Sequence, residues 1–334
     1  MKRRTLPVLA AAGLLATGLT SCANAVGGGS DDAAADWPRK GKPITLVVAF
    51  DAGGPADAAA RQIAPVLEKK LGTTIEVENK TGAGGQVGYT AIANARPDGY
   101  TFGGTGSPSV VTAPLDPSRG AKFTRTSFRP LANQVIDPQV VAVRPGSPIK
   151  SIKDFIDEGK KHPGKLRVTT TGVQTGEHFA LVDLQKKTGA KYGIVHFSEG
   201  SAQAMTAFLG KHVDVYVGSV SDLVSQAKQG DLVPIGVMDD KRSPFLPKVP
   251  TFKEAGIDIT HTTIRGYSAP AGVPDAIAQK MEKALAEVIQ DPAVVKKIKA
   301  LGIEPRYMSG KDYAAYWKNQ ETTYKKLLPL TKEK

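Results

Sequence analysis

The sequence predicts a two-domain α/β protein, each domain a mostly parallel sheet flanked by helices. Apolar, β-branched runs alternate with amphipathic helical stripes along the chain. Most of these runs end in a loop of Gly, Ser or Thr that opens directly into a helix, the pattern of parallel strands joined by right-handed crossovers. The chain has 334 residues, 41% of them apolar and 23% charged, enough for two globular domains of ordinary size.

The first unit sets the pattern. Ile44 to Phe50 reads as a buried strand, broken by Asp51-Ala52-Gly53-Gly54-Pro55, and Asp57-Ala58-Ala59-Ala60-Arg61 begins a helix. A helix start after a glycine turn leaves backbone N–H groups unpaired under the positive end of the helix dipole, a place that suits a carboxylate. Glycine lets a ligand approach that backbone closely. The same segment reads equally well as a tight βα connection that binds nothing.

Ile63, Val66, Leu67 and Leu71 then give one helix face, closed by Gly72. Thr74 to Val77 is a second strand, followed by the glycine-rich stretch 79–88 and a helix of small residues to Ala95. The turn Arg96-Pro97-Asp98-Gly99 leads into a third strand, Tyr100 to Phe102, with Gly103 to Ser107 as its loop. Residues 140–145 form a strand leading into a crossing between domains; Ser151 starts a short helix through Phe155, and Leu166 to Thr170 is a strand. Residues 171–178 repeat the opening device, and Ile194 to Phe197 and Val213 to Val217 are further strands ending in polar loops. Ile277, Met281, Leu285, Val288 and Ile289 stripe a long helix stopped at Asp291-Pro292, and helices with Tyr313, Tyr316 and Trp317 close the chain. Ligands of such sheets bind beyond the carboxyl ends of the strands, so the three glycine-bearing loops of the first half converge on one edge.

The N-terminus has the form of a sorting signal, with Lys2-Arg3-Arg4, an apolar stretch Leu6 to Leu19, and Thr20-Ser21 before Cys22. The apolar stretch is too short to span a bilayer as a helix. Residues 23–36 are small, glycine-rich and acidic and read as a tether. With a single cysteine in the chain, an internal disulfide is excluded, and lipidation of Cys22 would also exclude thiol catalysis. The formal charge is +12, of which Lys2, Arg3 and Arg4 supply three, leaving +9 beyond residue 21. Many of the lysines punctuate C-terminal helices, and basic–aromatic interleaving is missing, so nucleic acid is not the expected partner.

Catalytic patterns are thin. The five histidines, His162, His178, His196, His212 and His261, form no H-x₃-H or HExxH spacing. The glycines at 82–88 suggest dinucleotide binding, but Asp98 precedes the third strand instead of closing it. No G-x-S-x-G elbow or phosphate-loop lysine is present. No catalytic residue, metal or cofactor is expected.

VVAFDAGGPADAAAR, VENKTGAGGQVG and ARPDGYTF, followed by TTGVQTGEHFA, VHFSEGSAQAMTAFLGKHVDV and KRSPFLPKVPTFKEAGI, resemble the Bug or TctC family. These are the extracytoplasmic solute-binding proteins of tripartite tricarboxylate transporters. The similarity runs from about Pro43 to about Asn319. It implies a periplasmic-binding-protein-like (type II) architecture with the ligand cleft between the domains and C-terminal helices returning to the first. The expected division is 1–22 signal and lipobox, 23–42 tether, 43–142 plus 266–334 domain 1, and 143–265 domain 2. Leu19-Thr20-Ser21-Cys22 resembles a lipobox, implying a diacylglycerol anchor on Cys22 at the outer face of the cell membrane. The implied partners are a small organic acid and a two-subunit permease of the TctA/TctB type, with the receptor acting as a monomer.

The candidate ligand-binding residues are Phe50, Ala52, Gly53, Gly54 and Asp57 from the first loop and Thr105, Gly106 and Ser107 from the third. Thr171, Gly172, Thr175, His178, Glu199, Gly200 and Ser219 are the candidates from the second domain. Asp57 reads as a helix cap, and the resemblance implies that it also faces the ligand. The opening loop departs from the family's Pro-Phe-x-Pro-Gly-Gly-Ser-Thr-Asp: it lacks the Ser-Thr pair and adds Asp51. Two donors fewer and one negative charge more favour an amino-bearing, monocarboxylate or neutral compound over a di- or tricarboxylate. Two other readings stay open: a secreted hydrolase or NADP-linked oxidoreductase, and a ligand-sensing lipoprotein.

Overall fold

The computed structural model describes residues 36–332; the expected signal, Cys22 and the tether up to residue 35 lie outside the described residues. In chain order the elements begin with β1 (Ile44–Val48), α1 (Pro55–Leu71), β2 (Ile75–Asn79), α2 (Gln86–Ala93), β3 (Thr101–Ser107) and the short α3 (Ser109–Thr112). A sixteen-residue strand, β4 (Phe128–Val143), leads into α4 (Ile152–Lys161), β5 (Arg167–Thr170), α5 (Gly176–Thr188), β6 (Gly193–His196) and α6 (Ser201–Leu209). Then come β7 (Val215–Ser219), α7 (Val220–Gln229), β8 (Val233–Met238), β9 (Thr262–Pro270), α8 (Asp275–Gln290), α9 (Pro292–Ala300), β10 (Glu304–Ser309) and α10 (Gly310–Leu327).

The expected parallel units are present at both ends of the sheet. β1 pairs in parallel with β2 and β3, and β5 with β6 and β7. Between them the sheet is antiparallel, in the order β2-β1-β3-β9-β4-β7-β5-β6, with β8 and β10 also on β4. β9 runs antiparallel to β3 and to the first part of β4, while the last part of β4 pairs with β7 and β8. One strand thus serves both halves of the molecule.

β1 is buried on both faces, as a central parallel strand should be. Ile44, Leu46 and Val48 face one cluster with Ile63, Leu67, Met281 and Leu285 of α1 and α8. Val47 and Ala49 face another that includes Tyr89, Phe179, Tyr313 and Trp317. The C-terminal helix α10 therefore returns to the first half of the chain. Two further clusters fill the second half, around Phe155, Leu181, Leu184 and Phe252 and around Phe208, Tyr216 and Leu223. Trp37 is buried in the first cluster, so the described end of the N-terminal segment is packed. Among the described residues no helix is long and apolar enough to cross a membrane.

Two expectations are corrected. Gly103 to Ser107 is not a loop but the second part of β3, with Gly103 to Ser107 paired to Ser268 to Ile264 of β9. Its glycines have low strand propensity, yet Gly103 leaves no room for a Cβ, which would sit 2.3 Å from Ile92 Cδ1. The first part of β4 and all of β8, β9 and β10 are strands that the sequence pattern does not announce. Pro130 and Pro138 lie within β4, and register shifts lie at Pro130/Ala132 and Asn133/Val135.

Candidate functional site

A cavity with about 710 Å³ of empty space, partly open to solvent, lies where the two halves of the sheet meet. One wall is built from the end of β1 and the start of α1, from Tyr89, and from the segment Gly104 to Ser109. The other is built from Thr171, the start of α5 at Thr175 to Glu177, Ser201 and Asp222, and β9 adds Thr263 and Arg265. The rims touch. Asp51 N–H donates to the Glu199 carbonyl at 3.2 Å, Ala202 N–H to Asp51 Oδ2 at 3.1 Å, and Gly84 N–H to the Ser198 carbonyl at 3.2 Å. Gly200, at φ +144°, allows this approach, because a Cβ there would fall 2.1 Å from Asp51 Oδ1.

Of the expected site residues, Phe50, Gly54, Thr105, Gly106, Ser107, Thr171 and Thr175 line the cavity. Three of the threonine hydroxyls are already engaged. Thr105 Oγ1 is 2.8 Å from Ser268 Oγ, Thr171 donates to Glu177 Oε2 at 2.8 Å, and Thr175 donates to the Gly172 carbonyl at 2.9 Å. Ser107 differs: it is 1% exposed and its hydroxyl has no partner.

The other candidates stand behind or beside that surface. Ala52, Gly53 and Glu199 are exposed, and Gly200 belongs to the rim contact. Asp57 does not cap α1, whose N-cap is Gly54. Its carboxylate, 3% exposed, accepts from Gly53 N–H at 3.0 Å, Arg61 Nε at 2.9 Å and Asn79 Nδ2 at 3.1 Å. Burial pushes this carboxyl up, but those donors outweigh it and hold it below the usual range. Asp57 thus sets the shape of the loop it was expected to present.

His178 is 4% exposed and also sits behind the cavity wall. Gln174 N–H donates to its Nδ1 at 3.0 Å, which fixes that nitrogen as unprotonated. Burial, with His196 4.7 Å away ring to ring and Arg119 nearby, pushes His178 down to about 3. It is a neutral strut of the loop 171–178. Gly172, at φ +136°, packs against Gly84 in the same crossing, where Arg119 ties Val173 to Ala83 through their carbonyls. Ser219 is fully buried and accepts from Arg265 Nη2 at 3.2 Å.

The ionisable side chains that sequence reasoning left out of the site are Asp51, Glu177, Asp222 and Arg265, all on the cavity wall. Arg265 Nη1 donates to Asp137 Oδ2 at 2.6 Å, and Asp137 is 1% exposed. Asp222 Oδ2 accepts from Ser219 N–H at 2.6 Å. Burial pushes Asp222 up to about 7; Asp137 and Glu177 add to the shift and Arg265 opposes it. Asp51 is likewise raised, first by burial and also by Glu199, against the Ala202 N–H bond. Asp51 stood out in the sequence as an added charge, but Arg265 lies on a strand that was not expected. Asp222 sits three residues after Ser219, a spacing that signals only a helix cap, and Glu177 had no signal beyond its place beside His178.

The model of the tripartite tricarboxylate transporter family receptor matches residues 59–331. The UPF0065 protein in the gbd 5′ region of Cupriavidus necator is 32% identical over 281 residues, covering 82% of this chain and 83% of that relative. The solved structure of the periplasmic binding protein BugD is 30% identical with a TM-score of 0.80, covering 88% of this chain and 98% of its own. MatC from Rhodopseudomonas palustris, solved with bound malate, is 26% identical with a TM-score of 0.80, covering 87% and 99%. Two lobes meeting over one cavity, a matching family model and these relatives agree: the chain belongs to the tripartite tricarboxylate transporter receptor (TctC/Bug) family, whose members are extracytoplasmic solute-binding receptors and not enzymes.

Proposed function

We propose that this protein captures a small organic acid or a related compound outside the cytoplasm and delivers it to a two-subunit permease of the TctA/TctB type. The carrying observation is the cavity at the junction of the two halves, closed by rim contacts and holding an unpartnered, buried Ser107 hydroxyl on its wall. In the malate-bound relative a hydroxylated dicarboxylic acid is the ligand, which supports an acid as the solute class here. The division into 43–142 plus 266–334 and 143–265 would make closure a movement of these halves. Phe50, Gly54, Thr105, Gly106, Ser107, Thr171 and Thr175 would face the solute. Ala52, Gly53, Asp57, Gly172, His178, Glu199, Gly200 and Ser219 would act by shaping the loops around it.

The lipobox-like Leu19-Thr20-Ser21-Cys22 supports a diacylglycerol anchor at Cys22 that would hold the receptor, read here as a monomer, at the outer face of the cell membrane. Native mass spectrometry of the freshly purified protein, with release and identification of whatever it retains, tests the receptor reading. One small organic molecule per chain, recovered chemically unchanged, is the expected result. A retained nucleotide, or a compound that the protein converts, would overturn it.

A further inference from the structure

The cavity is poorly matched to a doubly negative solute. Of its ionisable side chains, Asp51, Glu177 and Asp222 are acids and Arg265 is basic, with the Tyr89 phenol beside them. The Arg265 charge is already met by buried Asp137. Each of the three lining carboxylates has a donor on one oxygen: Ala202 N–H on Asp51, Thr171 Oγ1 on Glu177, Ser219 N–H on Asp222. Oδ1 of Asp51 and Oδ1 of Asp222 are buried without any partner. Across the cavity the Ser107 hydroxyl, 1% exposed, is also unpartnered.

A buried carboxylate oxygen without a donor is costly, and a charged N–H is the donor that answers it best. A dicarboxylate would bring two more negative charges into the same low-dielectric space. A metal ion is a poor alternative, since among the described residues no three His, Cys, Asp or Glu groups converge closely enough to hold one. An extended organic cation can reach carboxylates spaced around a wall.

We propose that the solute is a zwitterion of the amino-acid type, whose cationic nitrogen is received between Glu177 and Asp222, with Asp51 at the rim, and whose carboxylate lies toward Ser107. The proposal rests on the receptor reading above and specifies its substrate class. The groups facing Asp222 are Asp137 from β4, Glu177 from α5, Tyr216 from β7 and Arg265 from β9. Together with burial they raise its carboxyl to about 7, a penalty that an arriving cation removes.

The test is a thermal-shift screen followed by titration calorimetry of the purified protein with matched sets of four to six carbons. Each set holds a dicarboxylate, the amino acid and the diamine of equal length, for example glutarate, 5-aminopentanoate and 1,5-diaminopentane. An amine-bearing acid should bind at least about tenfold more tightly than its dicarboxylate. Asp222→Asn and Glu177→Gln should each weaken that binding by about tenfold or more while narrowing the gap to the dicarboxylate, and their unliganded melts check that they fold. Affinity for the amine-bearing acid should rise from pH 6 to pH 8 as Asp222 ionises. Preference for the dicarboxylate, or affinity that falls over that interval because Asp222 donates its proton to the ligand, overturns the proposal and leaves the receptor reading standing. No response to any amine-bearing compound also overturns it, and the retained compound then judges the receptor reading independently.

Discussion

Arg265 is the basic side chain on the cavity wall. It neutralises Asp137, whose carboxylate also accepts from the Ser221 hydroxyl and backbone N–H. Arg265→Met would leave Asp137 buried and uncompensated, and should cost about 3–5 kcal/mol of stability in urea denaturation. His178 makes a separate demand through pH. Its folded value of about 3 lies below the ordinary 6.5, so the unfolded chain binds the extra proton between those values. The stability that this neutral histidine supports is complete above about pH 6.5 and drains away as pH falls toward 3. Its share of the slope is at most about 1.4 kcal/mol per pH unit. His178→Gln should flatten the loss of stability between pH 6.5 and 4, measured as denaturation midpoints; an unchanged slope would mean the imidazole is not held neutral.

The elements fall into those that announce themselves and those that do not. β1, α1, β2 and α8 are legible because apolar period and turn chemistry agree with the tertiary result. The first part of β4 and the strands β8, β9 and β10 are not. β4 carries two prolines, β9 mixes Thr, Arg, Gly and Tyr, and their pairing partners lie more than a hundred residues away in some cases. The candidate site was legible to the same degree: loops after parallel strands that line the cavity could be read, but Arg265 on β9 could not. His178 and Asp57 were noticed for their chemistry, which the fold spends on loop shape. Packing of α10 follows from its aromatic face. Trp317 is fully buried between Tyr313 and Phe128, and Trp317→Ala should destabilise by about 3–5 kcal/mol. At the rim, Gly200→Ala would push a methyl into Asp51 and strain a backbone at φ +144°. Ligand affinity should fall about tenfold or more, and the unliganded melting temperature should fall with it, since the clash and the backbone strain are present without ligand.

For the molecule as a whole, loops 51–54 and 82–85 lie against 198–202 and 171–175, and the C-terminal segment joins them. Lys332 Nζ lies 2.9 Å from Asp116 Oδ1, and Gln174 Nε2 donates to the other oxygen of Asp116 at 2.6 Å. Burial pushes Asp116 up, but Lys332, Ser118 and Gln174 outweigh it and hold it well below the usual range. Gln174→Ala should therefore open the liganded state, seen as a larger radius of gyration in solution scattering with the ligand present. The sharing of β4 has a different consequence. Phe128 to Pro138 pairs with β9 and Gln139 to Val143 with β7 and β8, without a linker between the two ladders. Melting either half strips a partner from a strand the other half needs. Heat should therefore unfold the protein in one calorimetric transition, and the two unequal fragments made by a cut anywhere within β4 should each fail to fold alone.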